Sequence, residues 1–290
     1  MSSSFVINTN MASINGQRML GKTTSALSTS MERLSSGLRV NSSKDDAAGL
    51  AIGTRMTTQI RGMTVAMRNA NDGISMAQTT EGAISELTDI MQRMRELTVQ
   101  AANTGAVSSQ DRQKLQDEFK QMGNELHRVI QNTSYNGNKV LAGGASNKNF
   151  QVGWSAAADN HISITISTMS GAGAAGGISK LFGAAGGLSI GSGVSATSKF
   201  GSVLNIIDKA LDSVNNTRAK LGAIQNRFMS AISNLSQSIE NNSAARSRIM
   251  DADFAVETAN LSRGQILQQA GTAMLAQANQ STQAVMKLLQ

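Results

Sequence analysis

From Ile60 onward, apolar side chains recur at alternating spacings of three and four. Met63, Met67, Ala70, Ile74 and Ala77 come first; Glu81 takes one turn, and Ile84, Leu87, Met91, Met94 and Ala101 carry the seam on. A sustained repeat of about 3.5 residues puts these side chains on one face of a long α-helix that packs on other helices. The pattern predicts a helix from about Lys44 to about Asn103, and ~60 residues at ~1.5 Å each make a rod of roughly 90 Å. Such a rod needs equally long partners in its own chain or in other copies.

The same reading places the remaining elements. Ile7, Met11, Ile14, Leu27, Met31, Leu34 and Leu38 form a weaker helical stripe before a break at Gly37 and Asn41-Ser-Ser43. Ser43 is the expected N-cap of the long helix, with Asp45 and Asp46 in its first turn, where carboxylates suit the helix dipole. Gly105 is its expected end. Ser108 and Asp111 then open a capping-box-like start, and Leu115, Phe119, Met122, Leu126 and Val129 make an antiparallel return helix. Asn136-Gly137 reads as a turn.

From Asn149 the period changes to two. Phe150, Val152 and Trp154 alternate, as do Ile162, Ile164 and Ile166, which predicts a β-hairpin with one apolar face. Residues 171–193 are rich in Gly, Ala and Ser and carry a near-repeat, Gly-Ala-Ala-Gly-Gly-Ile-Ser at 173–179 and Gly-Ala-Ala-Gly-Gly-Leu-Ser at 183–189. No Gly-Lys-Ser/Thr follows, so a phosphate loop is not expected, and the stretch reads as a surface insertion. Helical spacing returns at Phe200, Leu204, Ile207, Leu211, Val214, Leu221, Ile224, Phe228, Ile232, Leu235 and Ile239. A last segment runs through Ile266, Leu267, Ala270, Met274, Val285 and Leu288, with Lys287 its sole charge after Gly264.

The expected fold is therefore mainly α, a long antiparallel helical bundle with terminal coiled-coil segments and a small β-hairpin insertion. Its expected divisions are 1–43 as an N-terminal inner coiled-coil segment, 44–142 and 200–250 as the halves of a helical rod, 143–199 as the hairpin and Gly-rich insertion, and 251–290 as a C-terminal inner segment. Low-charge amphipathic ends cannot bury an apolar face alone. They are expected to be disordered in the monomer or docked in a polymer.

Composition narrows the chemistry. The chain has 290 residues with no Pro, so nothing removes an amide donor from a helix. The absence of Cys removes disulfides, thiol catalysis and cysteine metal sites. Twenty-six basic residues against 19 acidic give +7, which raises the question of nucleic acid. The basic residues come singly or as separated pairs such as Arg93 and Arg95, and aromatics are 3%. A solvated face is the better reading, and nucleic acid is not an expected partner. His127 and His161 are surface or packing residues in this reading, and no catalytic, cofactor-binding or metal site is expected. No apolar stretch reaches the ~18 residues of a membrane span. The N-terminus lacks the charged and apolar regions of a secretory signal.

Longer motifs are more specific. Arg33-Leu-Ser-Ser-Gly-Leu-Arg-Val-Asn-Ser-Ser-Lys-Asp-Asp-Ala-Ala-Gly-Leu-Ala-Ile52, Asn69-Ala-Asn-Asp-Gly-Ile-Ser75, Gln78-Thr-Thr-Glu-Gly82 and Gln92-Arg-Met-Arg-Glu-Leu-Thr-Val-Gln-Ala-Ala-Asn103 resemble the N-terminal signature of bacterial flagellins. Gln225-Asn-Arg-Phe228, Ser243-Ala-Ala-Arg-Ser-Arg-Ile-Met-Asp-Ala-Asp-Phe254 and Gln265-Ile-Leu-Gln-Gln-Ala-Gly-Thr-Ala-Met-Leu-Ala-Gln-Ala-Asn279 resemble the C-terminal one. The resemblance covers about 1–141 and 200–290. Where the family usually has a Pro after Ala-Gln-Ala-Asn, this chain reads Gln280-Ser-Thr-Gln283. The His-Glu-x-x-His of the family's protease variants is absent, so no enzyme is expected.

The resemblance implies a structural subunit that polymerises into the flagellar filament for motility, located outside the cell and exported by the flagellar type III route without a cleaved signal peptide. It implies itself as a helical homopolymer partner, together with an export chaperone, the filament cap, hook-junction proteins and a vertebrate flagellin receptor. Carried over by motif, the receptor and subunit-contact face is Gln92, Arg93, Leu97, Gln100 and Glu125. Flagellins are often O-glycosylated on outer hydroxyls, which makes Ser163, Thr165, Ser167, Thr168, Ser189, Ser192 and Ser195 candidates. The alternatives are a hook–filament junction protein and an intracellular coiled-coil scaffold.

Overall fold

The computed structural model describes residues 9–143, 147–155, 157–169, 178, 181, 188–190 and 197–288, of which 158, 197, 198 and 281–288 by backbone alone. The elements, in order, are α1 Met11–Ser36, α2 Ala47–Ala102, α3 Ser109–Asn132, β1 Ser134–Tyr135, β2 Asn138–Lys139, β3 Lys148–Gln151, a 3-10 turn Ala158–Asn160, β4 His161–Ile164, α4 Thr197–Met250 and α5 Phe254–Leu288. The chain divides into a terminal unit, Met1–Gln59 with Glu240–Gln290, and a central unit, Ile60–Ile239.

In the central unit the seam read from the sequence is the core. Ala70, Ala77, Ile84, Leu87, Met91, Met94 and Ala101 of α2 are fully buried, against Phe119, Leu126 and Ile130 of α3 and Ile207, Val214, Leu221 and Phe228 of α4. Two helices cover α2, so its buried arc is wider than a single seam. Arg93 and Arg95, two residues and therefore about 200° apart on the helix, flank that arc. Arg93 reaches Glu118 of α3 at 2.8 Å and Arg95 reaches Asp208 of α4 at 2.9 Å. Between them Leu97 is rolled inward, with 0% of its surface exposed. Buried Thr98 satisfies its hydroxyl by donating to the Met94 carbonyl at 2.8 Å. Glu81, the polar step in the seam, accepts from Gln225 Nε2 at 3.0 Å.

Several boundaries differ from the sequence reading. α2 begins at Ala47 rather than Lys44, and its N-cap is Asp46 rather than Ser43: Asp46 Oδ1 accepts the Gly49 amide at 2.8 Å. Asp45 is used earlier, accepting the Ser42 and Asn41 amides in the preceding turn. α2 ends at Ala102, ahead of Gly105. The Ser108 cap is as read, its Oγ accepting the Asp111 amide at 3.1 Å.

Asn136 and Gly137 have φ of 47° and 76° and join β1 to β2 with Tyr135 opposite Asn138, the two-residue turn with both central φ positive that fits strand twist. β3 and β4 pair antiparallel, Phe150 opposite Ile162 and Lys148 opposite Ile164. Ile162, Ile164 and Ile166 are buried as their alternation predicts. Trp154 is not on that face. β3 stops at Gln151, and Trp154 stands 54% exposed in the connection. The Gly-rich insertion also departs from the surface reading: Ile178, Leu181 and Ile190 are in the core, and the Ile190 amide donates to Gln116 Oε1 of α3. Aliphatic side chains punctuating the glycines gain more by burial than by exposure. Leu188 packs half-buried against the same core and Ser189 is exposed, and the rest of 170–196 lies outside the described residues.

Candidate assembly and recognition surfaces

In the terminal unit α1 and α5 lie antiparallel. Glycines on one helix receive leucines from the other. A Cβ on Gly16 would stand 3.2 Å from Leu275 Cγ, one on Gly264 3.1 Å from Leu27 Cδ1, and one on Gly271 3.3 Å from Leu20 Cδ1. The paired residue numbers keep a constant sum, as a single antiparallel register demands. Asn10 closes the far end: its Oδ1 accepts the Ser13 amide at 3.0 Å and its Nδ2 donates to the Ala278 carbonyl at 3.0 Å.

The near end is held by charge. Glu257, 6% exposed, accepts from Ser30 Oγ at 2.9 Å and from Arg33 Nη1 at 2.9 Å. Gly37 then caps α1 in the left-handed conformation, φ 72°, its amide donating to the Arg33 carbonyl at 2.8 Å. Beyond it the two connections pair with each other. Leu38 bridges Asp251, the Arg39 amide donates to Met250 O at 2.6 Å, and the Ala252 amide donates to Gly37 O at 3.0 Å. Asp253 caps α5 by accepting the Ala255 amide at 2.9 Å.

Sequence reasoning missed the glycine seats and the Arg33–Glu257 pair. A signal was present for the first: Gly264 and Gly271 are seven apart, as are Leu20 and Leu27.

What this pair leaves uncovered is its outer face. Met11, Ile14, Met19 and Met31 on α1, and Phe254, Ile266, Leu267 and Met274 on α5, are all more than half exposed or nearly so, Met274 at 69%. A two-helix pair with so much apolar surface in water is stable only when something covers it.

The Glu257 lock carries a pH dependence. The Arg33 guanidinium, helped by the Ser30 hydroxyl and opposed by desolvation, holds this carboxyl below its usual value of 4.5. Its stabilisation is therefore complete above pH 4.5 and is lost as the pH falls through the lowered folded-state value. Acid titration followed by circular dichroism is expected to show loss of terminal helix below that pH. Glu257→Gln should weaken the pair at neutral pH and remove that acid step; an unchanged acid transition would refute the assignment.

On the central unit the five motif-derived residues do not share one accessible face. Gln92, Arg93 and Gln100 are exposed and Glu125 is half-buried, but Leu97 is core. Leu97 therefore cannot be a contact anchor without unpacking α2, which corrects its place among the five contact residues carried over by motif. Arg93 is already engaged by Glu118 and by Glu96 at 3.1 Å. Glu125 is gripped by Arg128 through both Nε and Nη2, which holds its carboxyl below the usual range.

On the hairpin Ser163, Thr165 and Ser167 are exposed, Thr168 is half-buried and Ser189 is exposed. Ser192 and Ser195 lie outside the described residues. Among the described residues no group of three His, Cys, Asp or Glu could hold a metal, and no helix is long and apolar enough to cross a membrane.

Two family models match the chain: the bacterial flagellin N-terminal helical region over residues 7–146 and the bacterial flagellin C-terminal helical region over 204–289. A flagellin of Bacillus subtilis is 43% identical over 305 residues, covering 98% of this chain and 99% of that protein. Flagellin D of Vibrio anguillarum is 38% identical over 373 residues, again covering 98% and 99%. A solved structure described as flagellar hook-associated, from Vibrio parahaemolyticus, superposes with a TM-score of 0.57 over 71% of this chain and all of that one. At 13% identity this is a likeness of fold alone.

Proposed function

The chain belongs to the bacterial flagellin family, and from that premise we propose how its parts serve a filament. As a flagellin it is a structural protein of the flagellar filament, a subunit that polymerises with copies of itself, and not an enzyme. We propose that segments 1–43 and 251–290 form the inner tube, 44–142 and 200–250 the surrounding rod, and 143–199 the outward excursion. The observation that carries this is the apolar outer face of the α1–α5 pair, which has no cover within the described residues of its own unit. Copies packed around an axis would cover it, and torque would then be borne by many repeated apolar contacts.

Before assembly the same face needs another cover, which supports an export chaperone as partner. Passage through the flagellar export apparatus without a cleaved signal, growth under a cap and attachment to hook-junction proteins follow from the family in this proposal. A hook–filament junction role has only the fold likeness behind it.

Gln92, Arg93, Gln100 and Glu125 remain the proposed receptor and subunit-contact residues, with Leu97 supporting them from below. Arg93→Ala is expected to weaken receptor signalling by monomer about tenfold (~1.4 kcal/mol) and to slow filament assembly as well. Full signalling would sink the receptor role, and normal assembly the shared surface. Ser163, Thr165 and Ser167 lead the O-glycosylation candidates because they are the exposed hydroxyls beside the buried Ile ladder. An intact mass on native filaments equal to the bare 30.4 kDa chain would exclude modification.

A further inference from the structure

Trp154 is the sole tryptophan of the chain, and it is held rigidly in the open. Gln151 Nε2 donates to the carbonyls of Gly153 at 2.9 Å and Ser155 at 2.6 Å. Asn160 Nδ2 donates to Ser155 O at 3.0 Å and Ser155 Oγ at 2.7 Å, while the Val152 amide donates to Asn160 O at 2.8 Å. Asn69 of α2 ties the base of the loop by donating to Gln151 O at 3.1 Å. The loop sits on Gly62 of α2, where a Cβ would come 3.0 Å from Trp154 Cβ and 3.3 Å from its Cα. A large aromatic fixed at this cost in polar groups, yet 54% exposed, is preorganised for a contact. Arg61, next to Gly62 in the chain, and Asp159, next to Asn160, are both exposed.

The central unit carries a complementary surface. A shallow trough on α2 is lined by Gln92, Arg95, Glu96, Val99 and Gln100. Val99 is 50% exposed, an apolar floor between a guanidinium and a carboxylate. Arg95, already paired with Asp208 through Nε, keeps the face of its guanidinium for stacking on an indole, and Glu96, already accepting from Arg93, lines the same trough. Gly62 and Glu96 are about 50 Å apart along α2 and about 160° apart around it, at ~1.5 Å and ~100° per residue. One copy cannot fill its own trough. A parallel neighbour displaced by about that distance can, and the contact then repeats without closing.

We propose that Trp154 of one copy seats in the Val99 trough of the next, making residues 152–155 and 157–160 the occupant of the subunit-contact face. This rests on the filament reading above and names the partner of that face. The contact is heterologous: knob and trough are different surfaces of the same chain.

The test uses the full chain as monomer and as sedimented filament. In filaments of the unsubstituted protein, Trp154 emission is expected to shift to the blue and to lose its quenching by acrylamide. Because the chain has no cysteine, Trp154→Cys combined with Val99→Cys introduces a single candidate pair. Mild oxidation of filaments should give a ladder of dimers, trimers and higher species, with either single variant remaining monomeric on a denaturing gel. Filaments in which Trp154 is quenched as readily as in monomer overturn the proposal and leave polymerisation standing. Cross-linking by Trp154→Cys alone overturns it too, since that reports a knob meeting a knob. Failure of the unsubstituted chain to form any filament would remove the filament reading and this contact with it. The fluorescence arm decides the case even where the paired cysteine variant does not polymerise.

Discussion

Gly264→Leu is expected to leave the central unit folded and to abolish filament formation. The site receives Leu27 of α1, with Cδ1 3.1 Å and even the Leu27 Cα 3.9 Å from where a Cβ would stand. An alanine can be met by a small shift of the flexible Leu27 end. A leucine has nowhere to go except into the volume Leu27 fills, so α1 and α5 must separate there. Overpacking of this kind costs about 1–3 kcal/mol in a well-filled core. The α1–α5 pair has little to set against it: Leu27 is the sole buried large hydrophobic among the described residues of those two helices. Separation also moves the exposed methionines and leucines on both outer faces out of register. Sedimentation and electron microscopy of purified chain should show no filaments with Gly264→Leu and near-normal ones with Gly264→Ala. The main cooperative thermal transition should stay where it is, because its core is the α2–α3–α4 cluster. Normal filaments from Gly264→Leu would show that the seats do not set the terminal pair.

In the central unit the largest effect is expected from the Gly73–Phe228 contact. A Cβ on Gly73 would lie 2.6 Å from Phe228 Cζ and 2.9 Å from Cε2. The ring cannot retreat: it is fully buried and meets Phe150 edge-on at 5.7 Å and 88°. Elsewhere in an exposed helix interior, Gly→Ala would gain about 1 kcal/mol. Here the clash reverses the sign, and Gly73→Ala is expected to lower stability by about 1–3 kcal/mol. Phe228→Ala removes the ring and should cost about 3–5 kcal/mol. The double variant should cost less than the sum, because the new methyl group enters the space the ring has left. Urea unfolding of the four proteins completes the cycle; additive losses would mean that the two residues are not in contact.

These two sites also show where the sequence is informative. The 3.5-residue seam through Ile84, Leu87, Met91 and Met94 states which face of α2 is buried, because apolar side chains at that spacing have no other stable arrangement. Ser108 and Asn136-Gly137 act over three or four residues, and local chemistry of that range is readable without a fold. Ile162, Ile164 and Ile166 likewise declare a strand's inner face by alternation alone. The long motifs identify the family.

Tertiary structure decided what depends on how many neighbours a residue has. Leu97 belongs to the same motif as Arg93, and the motif alone put both on the contact face. The second helix packed on α2 widened the buried arc and took Leu97 into it. Asp46 rather than Ser43 caps α2 because Asp45 is drawn into the preceding turn. At Gly73 and Gly264 the missing side-chain volume is taken by Phe228 and Leu27, which only the fold brings there. Arg33 and Glu257 are 224 residues apart, and no local pattern relates them. Trp154 looks like one more apolar step after Phe150 and Val152. It leaves the sheet because Gln151 and Asn160 close a loop beneath it. Period and local capping are properties of one segment and its own backbone. Burial, ion pairing and the filling of a glycine seat are properties of two segments brought together, and they exist only once the chain has folded.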